Sequence, residues 1–71
     1  FNEKQEFAGM EAAIALAEAE AQRLEVLFAT PDFYQTHGDR LALLTAELTA
    51  ARAAVERLYT RWQQLERLTS A

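Results

Sequence analysis

Two unbroken heptad series on either side of a short connector predict an all-α protein, a two-helix antiparallel coiled-coil hairpin. The first series steps by three and four residues through Phe7, Met10, Ile14, Ala17, Ala21, Leu24 and Phe28. The second runs through Leu41, Leu44, Leu48, Ala51, Val55, Leu58, Trp62 and Leu65. The residues between them, numbers 30–38, are too few to let two long helices lie parallel, so the chain must double back.

Taken in order, the first helix is expected over about residues 3–29 and the second over about 39–68, within a single domain spanning 1–71. Both segments are rich in Ala, Leu, Glu, Gln and Arg, and neither holds an internal proline; Gly9 is the one weak helix former. Thr30 before Pro31 reads as an N-cap followed by proline at N1, which predicts a single helical turn over Pro31 to Tyr34 inside the connector. Thr36 with Asp39 three residues later resembles a capping box for the second helix.

An antiparallel seam pairs an a position with a d position. The preferred register sets Phe28 opposite Leu44, Leu24 opposite Leu48, Ala21 opposite Ala51 and Ala17 opposite Val55. It continues with Ile14 opposite Leu58, Met10 opposite Trp62 and Phe7 opposite Leu65. A rival register, with Leu41 opposite Leu24, needs a tighter turn. In the preferred one Trp62 lies over Met10 and beside Gly9 and Ala13, and the flanking acid Glu18 is expected to face Arg52.

Seventy-one residues make one domain with a modest core, worth about 3–5 kcal/mol net. Cysteine is absent, which removes disulfides and thiolate zinc sites. No apolar run reaches the roughly 18–20 residues of a membrane span, so no membrane is expected as partner. A chain this short has no room for a catalytic cleft with walls, so no small-molecule substrate is expected either. A start on Phe1, with the only methionine at Met10, predicts a fragment of a longer protein. The net charge is -4, but it is unevenly spread: residues 1–29 carry six acids and two bases, residues 39–71 four acids and five bases. An anionic partner should therefore meet the second helix.

Catalysis has no candidate residue. Gly9 and Gly38 are the only glycines and belong to no phosphate-cradling loop, so no cofactor is expected in this domain. His37, the only histidine, has neither a nucleophile nor a second metal-ligating histidine near it and reads as a solvated loop residue. Glu11, Glu18 and Glu25 recur every seven residues and could mimic paired carboxylates, although a solvated flank is the simpler reading. Phe33 and Tyr34 read either as an exposed recognition tip or as a plug for the open end of the helix pair, the plug being preferred. Trp62 is a core residue by position or else a stacking platform for bases. Arg57 and Arg61 are four apart, Arg40 falls in roughly the same third of the helix wheel, and Arg67 extends this side. These four are the candidate nucleic-acid-binding residues, contacting phosphates by charge. The competing reading is a solvated face with pairs such as Glu56 near Arg52 and Glu47 near Arg40.

Three segments carry a family resemblance. The opening Phe1 to Phe7, the connector Pro31, Asp32, Phe33, Tyr34 and the closing Arg61, Trp62, Gln63, Gln64, Leu65, Glu66 resemble the C-terminal coiled-coil domain of ABC-F ATPases, the Uup-like group. The resemblance implies a cytoplasmic parent with two nucleotide-binding domains and no membrane domain, acting at ribosomes or on nucleic acid. ATP would then be bound by the parent, and this hairpin would be its non-catalytic appendage, contributing non-specific binding to DNA or ribosomal RNA. The alternative is a protein-interaction or spacer coiled coil that docks on the parent's ATPase domains or on another protein.

Overall fold

The computed structural model describes residues 2–70. Phe1, which opens the first motif of the resemblance, and Ala71 lie outside them. The elements are α1 (Glu3–Phe28), a one-turn helix α2 (Phe33–His37), a 3-10 turn (Gly38–Arg40) and α3 (Leu41–Thr69). At about 1.5 Å per residue the 26 residues of α1 and the 29 of α3 make rods of ~39 and ~44 Å. The molecule measures 53 × 17 × 16 Å, the length of α3 plus the turn and two helices thick. The all-α hairpin read from the heptads is the fold observed.

Helix α1 opens on a cap. The Asn2 side-chain oxygen accepts a 2.9 Å hydrogen bond from the backbone N–H of Gln5. Glu3 and Glu6 place negative charge in the first turn, where the helix dipole favours it. At the other end the Thr30 hydroxyl donates to the carbonyl of Val26 at 2.9 Å. Thr30 thus closes α1, where the sequence suggested that it would cap the next helix.

The connector also starts its helical turn later than expected. The Phe33 N–H donates to the Thr30 carbonyl at 3.2 Å, closing a reverse turn over Thr30 to Phe33 with Pro31 in the second position. Asp32 occupies the third position with φ 64° and ψ 18°. That left-handed geometry is the signature of a type II turn, and aspartate tolerates it better than most residues with a Cβ. Helix α2 therefore begins at Phe33 rather than Pro31. The Thr36–Asp39 capping box does not form, because the Thr36 N–H donates to the Asp32 carbonyl and its backbone is helical, whereas an N-cap residue must be extended. The chain instead passes through the 3-10 turn into α3, which begins at Leu41 with no side-chain cap.

Apolar packing is concentrated at the two ends. At the turn end Leu24, Phe33 and Leu44 are almost fully buried and are surrounded by Leu27, Phe28, Leu41, Leu48 and Ala51. The Phe33 ring lies 4.6 Å from that of Phe28 and is 3% exposed, so it is the plug. Tyr34 beside it points outward, 70% exposed. His37 is half-buried with its ring 5.5 Å from Phe33; expected as a solvated loop residue, it packs because α2 brings it round onto the face that carries Phe33. At the open end Met10, Ile14 and Leu65 are buried. There Phe7 and Trp62 stack, centroids 6.2 Å apart and 22° between planes. The indole does not fill space beside Gly9 as expected: Gly9 is exposed and a methyl group there would meet nothing within 4 Å. Phe7 supplies the contact instead.

The register follows from bonds that cross the two flanks of the seam. In an antiparallel coiled coil e faces e and g faces g. The Tyr59 hydroxyl donates to Glu18 at 3.0 Å and the Arg52 Nε to Glu25 at 3.4 Å, both e to e in the register that sets Phe28 opposite Leu44. On the other flank Arg61 bonds Glu6, g to g in the same register. The expected Glu18–Arg52 pair does not form, because those residues face each other only in the rival register, one heptad away.

Phe33→Ala should remove most of the stability of so small a core. A buried Phe→Ala change costs about 3–5 kcal/mol, comparable with the whole net stability of a chain this size. Thermal unfolding followed by circular dichroism should show Phe33→Ala largely unfolded at 25 °C, with Tyr34→Ala melting within a few degrees of the wild type.

Candidate nucleic-acid interface

The second half of α3 presents Arg57, Arg61 and Arg67 along its outer side, at spacings of four and six residues. Gln64 lies between the last two, and shallow open depressions run from Arg57 and Thr60 past Arg61 and Gln64 to Arg67 and Leu68. From Arg57 to Arg67 the rise along the helix is ~15 Å. Arg40 does not join them. It belongs to the 3-10 turn at the opposite end, ~25 Å from Arg57 along the rod. The heptad wheel placed it on the same side but could not show that the helix starts after it.

The three arginines are not equivalent. Arg61 is half-buried and held by Glu6 in a two-pronged pair, Nε to Oε2 and Nη2 to Oε1, each 2.8 Å. Its Nη1 donates to the Gln64 side-chain oxygen at 3.2 Å. This fork geometry suits arginine and fixes the guanidinium between the helices. The hydrogen bond from Arg61 and its charge hold the Glu6 carboxyl below the ordinary glutamate range. Arg57 and Arg67 are exposed, and neither has an acidic partner among the described residues. The anticipated Glu56–Arg52 and Glu47–Arg40 pairs are not formed either; Arg52 is taken by Glu25, and Arg23 pairs with Glu20 at 2.7 Å.

Trp62 follows Arg61 in sequence but faces away from this patch. Phe7 occupies its neighbourhood on one side, and on the other it lines a groove with Glu11, Ile14, Glu18 and Tyr59. A base stacked on the indole would therefore meet carboxylates. Among the described residues no group of three or more His, Cys, Asp or Glu is placed to hold a metal ion. No helix among them is long and apolar enough to cross a membrane.

Glu6 is the residue that reading by helix missed. Its signal was available, since Glu6 and Arg61 are the g positions that face each other in the preferred register.

The fold is a two-helix rod with a plugged turn and a row of arginines on one side of α3. The family model for the ABC transporter C-terminal domain matches residues 1–67, and the chain belongs to that family. No curated protein and no solved structure matches it.

The Glu6–Arg61 pair gives the hairpin a defined acid sensitivity. A carboxyl depressed in the folded state contributes stability above the unfolded pKa of ~4.3, and this is lost as pH falls through the lower folded value. Glu20, depressed by the hydrogen bond and charge of Arg23, acts in the same sense. Melting temperatures measured between pH 7 and 2 should fall on acidification, and Glu6→Gln should flatten the decline while lowering the plateau at neutral pH.

Proposed function

We propose that this chain is the non-catalytic C-terminal module of a Uup-like ABC-F ATP-binding protein of the cytoplasm, and that it contributes sequence-independent contacts to nucleic acid, DNA or ribosomal RNA. ATP binding and hydrolysis belong to the parent's nucleotide-binding domains. The family match and the Pro31-Asp32-Phe33-Tyr34 connector support the parentage. The observation that carries the contact is that Arg57 and Arg67 stand exposed on one side of α3 without an acidic partner among the described residues. Exposed guanidiniums unneutralised by the protein are free to release counterions from phosphates. Arg61 lies between them but is occupied by Glu6, so its part is to fix α3 against α1 and hold the two outer arginines in place. Arg40, at the far end, makes at most a separate contact.

With two principal cationic contacts and a net charge of -4, binding by the isolated hairpin is weak, in the range of ~10⁻⁶ to 10⁻⁴ M usual for non-specific association, and the parent adds avidity. Titration of labelled duplex DNA and of structured RNA at two salt concentrations tests this. Arg57→Ala with Arg67→Ala should weaken binding equally for all sequences and lower the salt slope by ~1 per lost contact, with unchanged melting. Equal affinities for wild type and variant would remove the arginine side as the site and leave a protein-docking hairpin as the function.

A further inference from the structure

The flank opposite Arg61 carries a different surface. Between α1 and α3 on that side runs an open groove formed by two depressions, of about 510 and 250 Å³, that share Glu18 as a common wall. Its floor is apolar, made by Ile14, Ala21, Val55 and Trp62. The groove exists because the middle layers of the seam are thin. Between Leu44 and Leu65 no residue of α3 is buried, and Leu48, Ala51, Val55, Leu58 and Trp62 are all left half-covered. A pair of helices cannot enclose a heptad seam on both sides, and small residues at Ala17, Ala21 and Ala51 let a further helix approach closely.

We infer that this groove is a docking site for a basic amphipathic helix of a partner protein, which would lie along the hairpin as a third strand of the coiled coil. Charge selects this occupant. The walls carry four carboxylates, Glu11, Glu18, Glu25 and Glu56, against one guanidinium, Arg52. Arg52 is already bonded to Glu25, and Glu18 accepts from Tyr59. Glu11 and Glu56 have no cationic partner among the described residues. A second copy placed by a two-fold axis would bring the same carboxylates against themselves, and a phosphate backbone would be repelled. A helix with Leu-like residues on one face and Lys or Arg beside them satisfies both floor and walls. The stretch from Glu11 to Glu25 is ~21 Å long, about four helical turns.

This inference stands apart from the arginine side, and one experiment separates the two. The probes are two synthetic helical peptides of about three heptads without tryptophan, both with Leu at a and d, one with Lys and one with Glu at e and g. Trp62, the only tryptophan, reports directly from the groove floor. The lysine peptide should bind saturably, shift Trp62 emission to the blue and weaken with salt, while the glutamate peptide should not bind. Glu11→Gln with Glu56→Gln leaves every cross-helix bond intact and should weaken the lysine peptide about tenfold. Glu20→Gln with Glu47→Gln removes the same charge from the other flank and should leave affinity unchanged, as should Arg57→Ala with Arg67→Ala. Equal binding of the two peptides, no binding, or an equal loss in both glutamine variants would overturn the proposal. So would sedimentation showing a dimer that the lysine peptide does not dissociate.

Discussion

Everything else in this protein depends on one constraint, that two heptad seams meet antiparallel in a single register. The seam itself discriminates weakly in its middle, where Ala17 and Ala21 face half-covered positions of α3 that a shift by one heptad would fill almost as well. Discrimination comes from the ends and the flanks. At the turn, Phe33 enters between Leu24 and Leu44, and its position is set by the Pro31-Asp32 turn that precedes it. At the other end Phe7 stacks on Trp62 above the buried Leu65. Along the flanks Glu6, Glu18 and Glu25 each find a partner that exists in one register alone. Exposed ion pairs contribute little to stability. A shift by one heptad would set Glu6 opposite Ala54 and Glu25 opposite Thr45 but would bring Glu18 to Arg52, so the flanks favour the observed register by only part of their contacts.

The same constraint makes the two flanks chemically different. Because g faces g on one side, Arg61 is neutralised by Glu6 and serves as a fixed post between two unpaired arginines. Because e faces e on the other, three evenly spaced glutamates of α1 meet only one arginine of α3, and the apolar floor behind them stays half-covered at Val55 and Trp62. A small rod of net negative charge thereby carries unpaired arginines on one side and an acid-walled apolar groove on the other. The exposed Leu16, Val26 and Leu43 are scattered over the outer faces of the helices and form no comparable surface.

The hairpin was legible because a heptad repeat states a helix, its inner face and its partner together. Which residues of α3 face which of α1 also followed, since the connector limits the register to few choices. What sequence missed lies where backbone geometry rather than periodicity decides. The Thr30 hydroxyl bonds back to the Val26 carbonyl rather than capping forward, and the connector helix begins at Phe33 with Thr36 inside it. Of the candidate site, the row Arg57, Arg61, Arg67 followed from spacing alone. That Arg61 is occupied, and that Arg40 lies at the far end, required the register and the start of α3 at Leu41. The acid groove was present in the sequence as Glu11, Glu18 and Glu25, but a solvated flank and a groove wall look alike until the floor behind them is known.

The central claim is the register, and the absence of cysteine allows it to be tested directly. Two double variants, Glu25→Cys with Arg52→Cys and Glu18→Cys with Arg52→Cys, can be treated at low protein concentration with a short bifunctional thiol reagent and the products separated by size after digestion. In the register described, the first pair closes rapidly within one chain and the second reacts slowly. Preferential closure of the Glu18 and Arg52 positions, or cross-linking mainly between chains, would contradict it.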